Sequence, residues 1–181
     1  MIFTETKLAG AFVITIQRLE DERGFFARTF CQNEFRDHGL NTTVSQCNIS
    51  HNNRKGTLRG MHFQAHPHRE AKLVHCLRGA IHDVIIDLRR DSPTYLEHFA
   101  IALSSAEHAM LYVPEGFAHG FITLEDDTDV FYQMSEFHTP AYARGFRWND
   151  PAFGIEWPLT PGAISERDAG YPDFAPELPD Q

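Results

Sequence analysis

Histidines crowd one short stretch of the 181-residue sequence. His62 stands in the run Arg59-Gly60-Met61-His62-Phe63-Gln64, and His66, His68 and His75 follow it closely. Because imidazole titrates close to neutral pH, histidine can remove a proton as a general base or bind a metal ion. The stretch therefore predicts a histidine-lined site for proton-transfer or metal chemistry.

A metal site is one interpretation of these histidines. The pattern Pro114-x-Gly116-x-x-His119 resembles the second motif of the cupin jelly rolls, and His66-x-His68 would supply the first. Metal cupins hold Fe, Mn or Zn with histidines and a carboxylate. Glu70, however, follows His68 too soon for a good match, and ligands in a loop around Pro67 give poor geometry. We favour a site without metal. A metal-dependent cupin oxygenase or isomerase using His66, His68, His75 or His119 remains the alternative.

Basic and amide side chains form a second group. Arg23, Arg59 and Lys72 each lie beside glycine or apolar strand residues. A basic side chain that faces inward from a strand is rarely buried without an anionic partner. Gln46 and Asn48 are two positions apart, so both can face the same side of a strand. With the histidines, these residues indicate a site for a diphosphate and an enolate, with amides against a base or sugar.

Composition and missing motifs exclude several classes of function. The sequence has no Gly-x-Ser-x-Gly elbow, which argues against a serine nucleophile. It has no glycine-rich phosphate loop either, so hydride and phosphoryl transfer have no support. A net charge of -9 argues against nucleic acid or an anionic membrane as partner. Three scattered cysteines are typical of a reduced, cytoplasmic chain. No apolar run approaches the roughly 20 residues that span a bilayer.

The elements that must position these residues are mostly strands. Short apolar segments separated by turn residues at roughly 8–12-residue spacing predict an all-β sandwich or barrel. We expect one domain over residues 1–181, with an irregular C-terminal arm over about 140–181, a helix over Gln32–His38 stopped by Gly39, and a charged turn over Leu19–Gly24. The predicted strands are Gly10–Ile16, Phe25–Phe30, Val44–Ile49, Thr57–Gln64, Lys72–Arg78, His82–Leu88, His98–Leu103, Ala109–Val113, Ala118–Leu124 and Asp129–Ser135.

Several motifs together resemble a known family. They are Asp21-Glu22-Arg23-Gly24-Phe25-Phe26, Gln46-Cys47-Asn48, Lys55 to Gln64, Lys72-Leu73-Val74, Asp83 to Arg89, Ser92-Pro93-Thr94, Pro114 to Phe121, Trp148-Asn149-Asp150-Pro151, Ile155 to Pro158 and Ser165 to Asp168. Their order and types are similar to those of the dTDP-4-dehydrorhamnose 3,5-epimerases, over about nine-tenths of the chain.

The resemblance implies a homodimeric, cupin-type jelly roll with short helices. It also implies a cofactor-free epimerase that inverts C3 and C5 of a nucleotide-linked 4-keto-6-deoxyhexose (dTDP-4-dehydro-6-deoxyglucose-like), for L-rhamnose-type deoxysugar biosynthesis. His62 would be the base, Asp168 its orienting carboxylate and Tyr132 the acid on the opposite face. Lys72 and His119 would contact the sugar and its enolate. The other substrate-binding residues would be Arg23, Phe26, Gln46, Asn48, Arg59 and Arg167.

Three departures from the family pattern keep alternatives open. Arg28 stands where the family usually has glutamate, and Ala143 stands where it usually has another acid. Near the positions of Phe137-His138, the family has tyrosines in a stretch that shapes the pocket. A mono-epimerase acting at C3 or C5 alone, on a differently tagged nucleotide sugar, is the nearest alternative. A sugar-nucleotide binding protein without turnover is disfavoured, because binding alone needs no base and acid pair.

Overall fold

The computed structural model describes residues 1–175, and strands dominate it. Within those residues the elements are β1 (Ile2–Glu5), β2 (Phe12–Thr15), β3 (Leu19–Asp21), β4 (Gly24–Phe26), α1 (Gln32–Asp37), β5 (Gln46–Asn52), β6 (Thr57–Gln64), β7 (Lys72–Arg78), β8 (Ala80–Asp87), β9 (His98–Ser104), β10 (Met110–Val113), β11 (Phe117–Thr123), β12 (Thr128–Met134), β13 (Ala143–Gly145), β14 (Ala163–Ile164) and α2 (Glu166–Ala169). The all-β prediction is confirmed.

Two sheets carry almost all of these strands. The first has the order β1-β2-β10-β7-β12-β5, and the second has the order β13-β6-β11-β8-β9, with β14 added beside β6. Neighbouring strands are antiparallel, apart from the parallel pair of β14 and β6. Consecutive strands thus often lie in different sheets, which is why residues distant in sequence meet between them.

The period of two along each strand divides the core into layers. On β7, Val74 and Cys76 belong to the central cluster, which also contains Ile85, Leu111 and Phe121. The intervening Leu73 belongs to a separate cluster on the other face, where Phe12, Phe35 and Tyr112 pack. Lys72 is in phase with Val74, so it belongs to the face of β7 that looks into the space between the sheets.

Most predicted elements agree with the structure. The bounds of β6 and β7 match the prediction, the helix ends one residue early, and Gly39 follows it with a left-handed φ of 71°. The prediction of a charged turn over Leu19–Gly24 was wrong. Its first three residues form β3 and Gly24 begins β4, and these two strands pair as a two-stranded sheet. Only Glu22 and Arg23 form the turn, and Gly24 takes a φ of 126° that favours glycine.

The C-terminal arm packs on the outer face of the second sheet. Phe146 and Phe153 are buried there against Val84 and Ile86 of β8. Up to residue 175 the arm contains only short elements, β13, β14 and α2, as its irregular composition indicated. The end of the predicted arm, residues 176–181, lies outside the described residues. No helix within residues 1–175 has the length and apolarity needed to cross a membrane.

Candidate active site

A cavity of about 320 Å³ opens between the two sheets. Both sheets contribute to its wall: β6 and β11 from the second, and β5, β7 and β12 from the first. The predicted site residues that line it are Asn48, Arg59, His62, Lys72, His119, Tyr132 and Arg167. A larger cavity of about 560 Å³ lies elsewhere and contains none of the predicted site residues.

His62 is paired with a carboxylate from the C-terminal arm. Its Nε2 lies 2.8 Å from Oδ1 of Asp168, and the backbone N–H of Gly60 donates to Oδ2 at 3.2 Å. Asp168 is 4% exposed, whereas the His62 side chain keeps 38% of its surface exposed. The buried carboxylate therefore fixes the orientation of a ring that stays accessible.

The short helix α2 holds Asp168 in place. Ser165 caps this helix, because its Oγ accepts a hydrogen bond from the backbone N–H of Asp168. Burial alone would raise the pKa of the Asp168 carboxyl, but hydrogen bonds and charge from His62, with the Gly60 and Ser165 contacts, outweigh it and lower the pKa. The carboxylate is thus charged at neutral pH.

Two glycines let β6 and β11 approach closely. A Cβ atom at Gly60 would lie 2.6 Å from Cα of Gly120, and one at Gly120 would lie 2.6 Å from Sδ of Met61. Side chains at these positions would push the two backbones apart. The close pairing sets His119 opposite His62 in the antiparallel register. Both histidines consequently reach one cavity from neighbouring strands.

Tyr132 stands on the opposite wall, on β12 of the first sheet. Its ring centroid is 6.0 Å from that of His119 and 6.5 Å from that of Phe121, both on β11. Burial, followed by the negative charge of Asp83, raises the pKa of the Tyr132 hydroxyl. The phenol therefore keeps its proton at neutral pH and is available as a proton donor.

Lys72 forms an ion pair at the edge of the cavity. Its Nζ lies 3.0 Å from Oε1 of Glu70, and both side chains are largely buried, with 11% and 8% of their surface exposed. Gln64 donates from Nε2 to the other Glu70 oxygen at 3.3 Å. Glu70 and Gln64 line the same cavity.

His119 has a carboxylate partner of its own. Its Nε2 lies 2.5 Å from Oδ1 of Asp83 on the neighbouring strand β8, and Asp83 is fully buried. Two histidine–carboxylate pairs, His62 with Asp168 and His119 with Asp83, thus face one cavity. In both, a buried acid orients the ring.

The predicted polar contacts line the cavity's outer part. Arg59 donates from Nε to Oδ1 of Asn52 at 2.8 Å, and Arg167 donates from Nε to the hydroxyl of Tyr171 at 2.7 Å. Asn48 is exposed at this rim. Gln46 does not line the cavity in residues 1–175, but its Oε1 accepts the backbone N–H of His138, which does.

Arg23 and Phe26 lie apart from this cavity in the described chain. Both belong to the β3–β4 hairpin, where the Arg23 side chain is 84% exposed and pairs with Asp21. Phe26 is 73% exposed. The structure of one chain does not bring these two residues to the other predicted residues.

The histidines of the metal interpretation do not converge. His66 and His68 lie in the loop between β6 and β7, and His75 is one position out of phase with Lys72 and Val74, on the other face of β7. Across residues 1–175, no three His, Cys, Asp or Glu side chains meet as metal ligands would. The described part of the chain therefore offers no ligand set for a metal-dependent cupin reaction.

One protein family matches almost the whole chain. The model described as dTDP-4-dehydrorhamnose 3,5-epimerase matches residues 5–176. The chain belongs to this family. It is accordingly an epimerase, an enzyme of the isomerase class.

Individual family members agree with that assignment over the whole length. A dTDP-4-dehydrorhamnose 3,5-epimerase of Sinorhizobium fredii is 40% identical over 180 residues, which are 99% of this chain and 92% of the relative. The crystal structure of the Bacillus anthracis enzyme with TDP and PPi bound has a TM-score of 0.92 at 37% identity, covering 96% of this chain and 99% of that one. A 3'-monoepimerase of Streptomyces bikiniensis in complex with dTDP-quinovose has a TM-score of 0.85 at 30% identity, covering 93% and 85%.

The three departures from the family pattern have distinct locations. Ala143 and His138 line the cavity, so these two changes alter the wall that a ligand meets. Arg28 is not among the cavity's lining residues; its guanidinium instead donates to Glu34 at 2.8 Å. Glu34 also accepts from the amino group of Met1 at 2.8 Å. Within one chain, Arg28 therefore serves a local ion-pair cluster.

Sequence reasoning gave no role to several residues that shape the site. The sequence could have indicated a role for Asp83. It lies between Ile81 and Ile85 on one face of a buried strand, where an acid needs a polar partner. Glu70 was considered only as a metal ligand. Tyr171 carried no local signal, since its contact with Arg167 depends on how the arm folds back.

Proposed function

We propose that this protein inverts C3 and C5 of a nucleotide-linked 4-keto-6-deoxyhexose, a sugar like dTDP-4-dehydro-6-deoxyglucose, in L-rhamnose-type deoxysugar biosynthesis. The observation that carries the proposal is the placement of His62 and Tyr132 on opposite sheets around one cavity. Inversion at carbon needs a proton to leave from one face and another to arrive on the other face. A base and an acid on facing walls meet that requirement.

His62 is the proposed base. The ketone at C4 acidifies the C–H bonds at C3 and C5, because the carbanion formed at either carbon is an enolate. With Nε2 held by Asp168, the Nδ1 atom accepts the proton. The buried carboxylate then stabilises the imidazolium that forms, which is the role of the aspartate in other histidine–aspartate pairs.

Enolate charge needs a cationic partner. Lys72 supplies a fixed positive charge from the first sheet, and Asp83 orients the ring of His119, which would contact the sugar from the second. Preorganised groups of this kind are usually the largest single contribution to such catalysis. Tyr132 then donates its proton to the carbon from the opposite face. None of these steps calls for a cofactor.

Nucleotide binding is proposed for the cavity's polar rim. Arg59 and Arg167 can face a diphosphate, and Asn48 can face a sugar or base edge. Gln46 would act through the His138 backbone that it holds. The relative with TDP and PPi bound supports a dTDP-type substrate.

We propose a homodimer in which Arg23 and Phe26 complete the partner's site. The β3–β4 hairpin that bears them is exposed, and Leu19 on the same hairpin is 68% exposed. Ile49, on the edge strand β5, is 63% exposed and adds to the apolar surface available for a partner. A second copy would bury this surface and bring a cation to the diphosphate.

The three cysteines, Cys31, Cys47 and Cys76, are all free. Free thiols are usual in reducing compartments. They support the proposal that the enzyme works in the cytoplasm.

A mono-epimerase acting at C3 or C5 alone is the second candidate function. It is favoured by the structural likeness to the 3'-monoepimerase and by the changed cavity wall at Ala143 and His138. Such changes can alter how the sugar turns between its first and second inversion.

One experiment tests the proposal and separates the two candidates. The protein is incubated in D₂O with a panel of nucleotide-linked 4-keto-6-deoxyhexoses, and product stereochemistry and deuterium content are measured by NMR. Two deuterons per product, at C3 and C5, are expected, whereas one deuteron would establish the mono-epimerase. Exchange by a His62→Ala variant at the wild-type rate would overturn the assignment of the base.

A further inference from the structure

Buried groups hold the ion pair between Glu70 and Lys72 in place at the cavity wall. Glu70 comes from the loop before β7 and turns its carboxylate into the cavity wall, where only 8% of the side chain is exposed. A largely buried acid and base at 3.0 Å hold each other in one geometry, since separating either from its partner would leave an uncompensated charge.

Gln64 binds the Glu70 carboxylate through the oxygen that does not contact Lys72. The two N–H groups of this buried amide are shared among three acceptors: Glu70, the His68 carbonyl at 3.0 Å and the Phe137 carbonyl at 3.2 Å. Its Oε1 accepts the Thr139 backbone N–H at 2.6 Å. Gln64 thereby ties Glu70 to the end of β6 and to the 137–139 loop, so the carboxylate has a fixed position of its own.

We propose that Glu70 is a positioning residue, which places the Lys72 ammonium where the enolate oxygen forms. An ammonium group has three N–H donors. Glu70 accepts one, which fixes the tilt of the group and directs the other two toward the cavity. The inference rests on the proposed enolate chemistry and adds to it a residue that acts through Lys72.

Two substitutions distinguish the effect of the Glu70 carboxylate's position from the effect of its charge. Glu70→Gln keeps the chain length and leaves an oxygen for Lys72, but it removes the charge. Glu70→Asp keeps the charge and withdraws the carboxylate by about 1.5 Å, one carbon–carbon bond. We expect Glu70→Gln to lower kcat less than Glu70→Asp does, because its oxygen still accepts from the ammonium although the lost charge leaves Lys72 uncompensated. We expect Glu70→Asp to lower kcat about tenfold or more with KM changed less than about threefold, since misplacing a catalytic group by about 1 Å has such effects.

The same measurements in a Lys72→Met background test whether Glu70 acts through Lys72. There, neither substitution at Glu70 should lower kcat further, whereas a general structural role would lower it again. Melting temperatures show whether each variant is folded. If Glu70→Asp does not fold, Glu70→Ala replaces it, and the same loss of kcat is expected. If the wild-type protein turns over substrate but kcat for Glu70→Asp is equal to or above that of Glu70→Gln, this proposal is overturned and the proposed function is not. Failure of the wild-type protein to exchange any C–H proton would overturn the proposed function and this inference with it.

Discussion

His62 and Tyr132 face each other across the cavity, so substitutions at the two residues should give different products. The Tyr132→Phe variant keeps the ring that packs against His119 and Phe121 but has no proton to donate. We expect His62 to go on exchanging protons on its own face, so that substrate gains deuterium with retained configuration. Epimerised product should fall by about 10² to 10⁴.

The measurement is NMR of recovered substrate and product in D₂O. His62→Ala serves as the contrasting variant, because it should lose both exchange and inversion. Inversion by Tyr132→Phe at the wild-type rate would show that the second proton comes from another group.

The pairing of Asp168 with His62 predicts how stability depends on pH. The contacts of the folded state lower the pKa of the Asp168 carboxyl below its ordinary value, so its ionised form stabilises the fold. That contribution is fully present above the unfolded pKa of about 3.9 and is lost as pH falls through the folded value. Denaturant unfolding of wild type and Asp168→Asn at several pH values tests this. The difference in unfolding free energy should be largest near neutral pH and narrow below about pH 4; a constant difference would contradict it.

At the scale of elements, β13 holds the C-terminal arm against the strand that carries His62. Gly145 pairs with His62 across β13 and β6, and a Cβ there would lie 2.5 Å from the Tyr171 ring and 2.7 Å from the Met61 carbonyl. Tyr171 in turn accepts the hydrogen bond from Arg167 at the cavity rim. The absence of a side chain at Gly145 is therefore what lets the arm close over His62.

Gly145→Ala should consequently damage both stability and substrate binding. Overpacking of this kind destabilises by about 1–3 kcal/mol, and displacement of Tyr171 should raise KM by freeing Arg167. The matched control is Gly162→Ala, also in the arm, whose Cβ would meet only the Lys55 carbonyl at 3.8 Å. Thermal unfolding and kinetics compare the two. Equal melting temperatures for both variants would contradict the expected clash.

Sequence patterns located the strands better than they located the contacts between them. Alternation and turn residues defined β6 and β7, because those signals are local. The pairing of His62 with Asp168 spans 106 residues and came only from the family resemblance. The pairs of His119 with Asp83 and of Lys72 with Glu70 depend on strand order and loop packing, which no local pattern contains. The β3–β4 hairpin was missed because charged residues hid β3, although the predicted strand Phe25–Phe30 overlaps β4.

At the scale of the whole molecule, Arg23 and Phe26 lie away from the site in which they were expected to act. Both were expected at the substrate, yet each is exposed on a hairpin outside the cavity of its own chain. The proposed homodimer, with two-fold symmetry, would resolve this, because each hairpin would then enter the other subunit's site. Charge supports the arrangement, since Arg23 would add a guanidinium to the rim that Arg59 and Arg167 already line.

Mixing two inactive variants tests that arrangement directly. Arg23→Ala and His62→Ala subunits, each strongly impaired alone, are unfolded together and refolded as a mixture. If Arg23 acts across the interface, each mixed dimer has one site with both defects and one with neither. Random assembly then restores about one quarter of all sites, so activity should approach about one quarter of wild type. Light scattering checks that the mixture is dimeric. If Arg23 acts within its own chain, each site in a mixed dimer carries one defect, and activity would stay at the level of the separate variants.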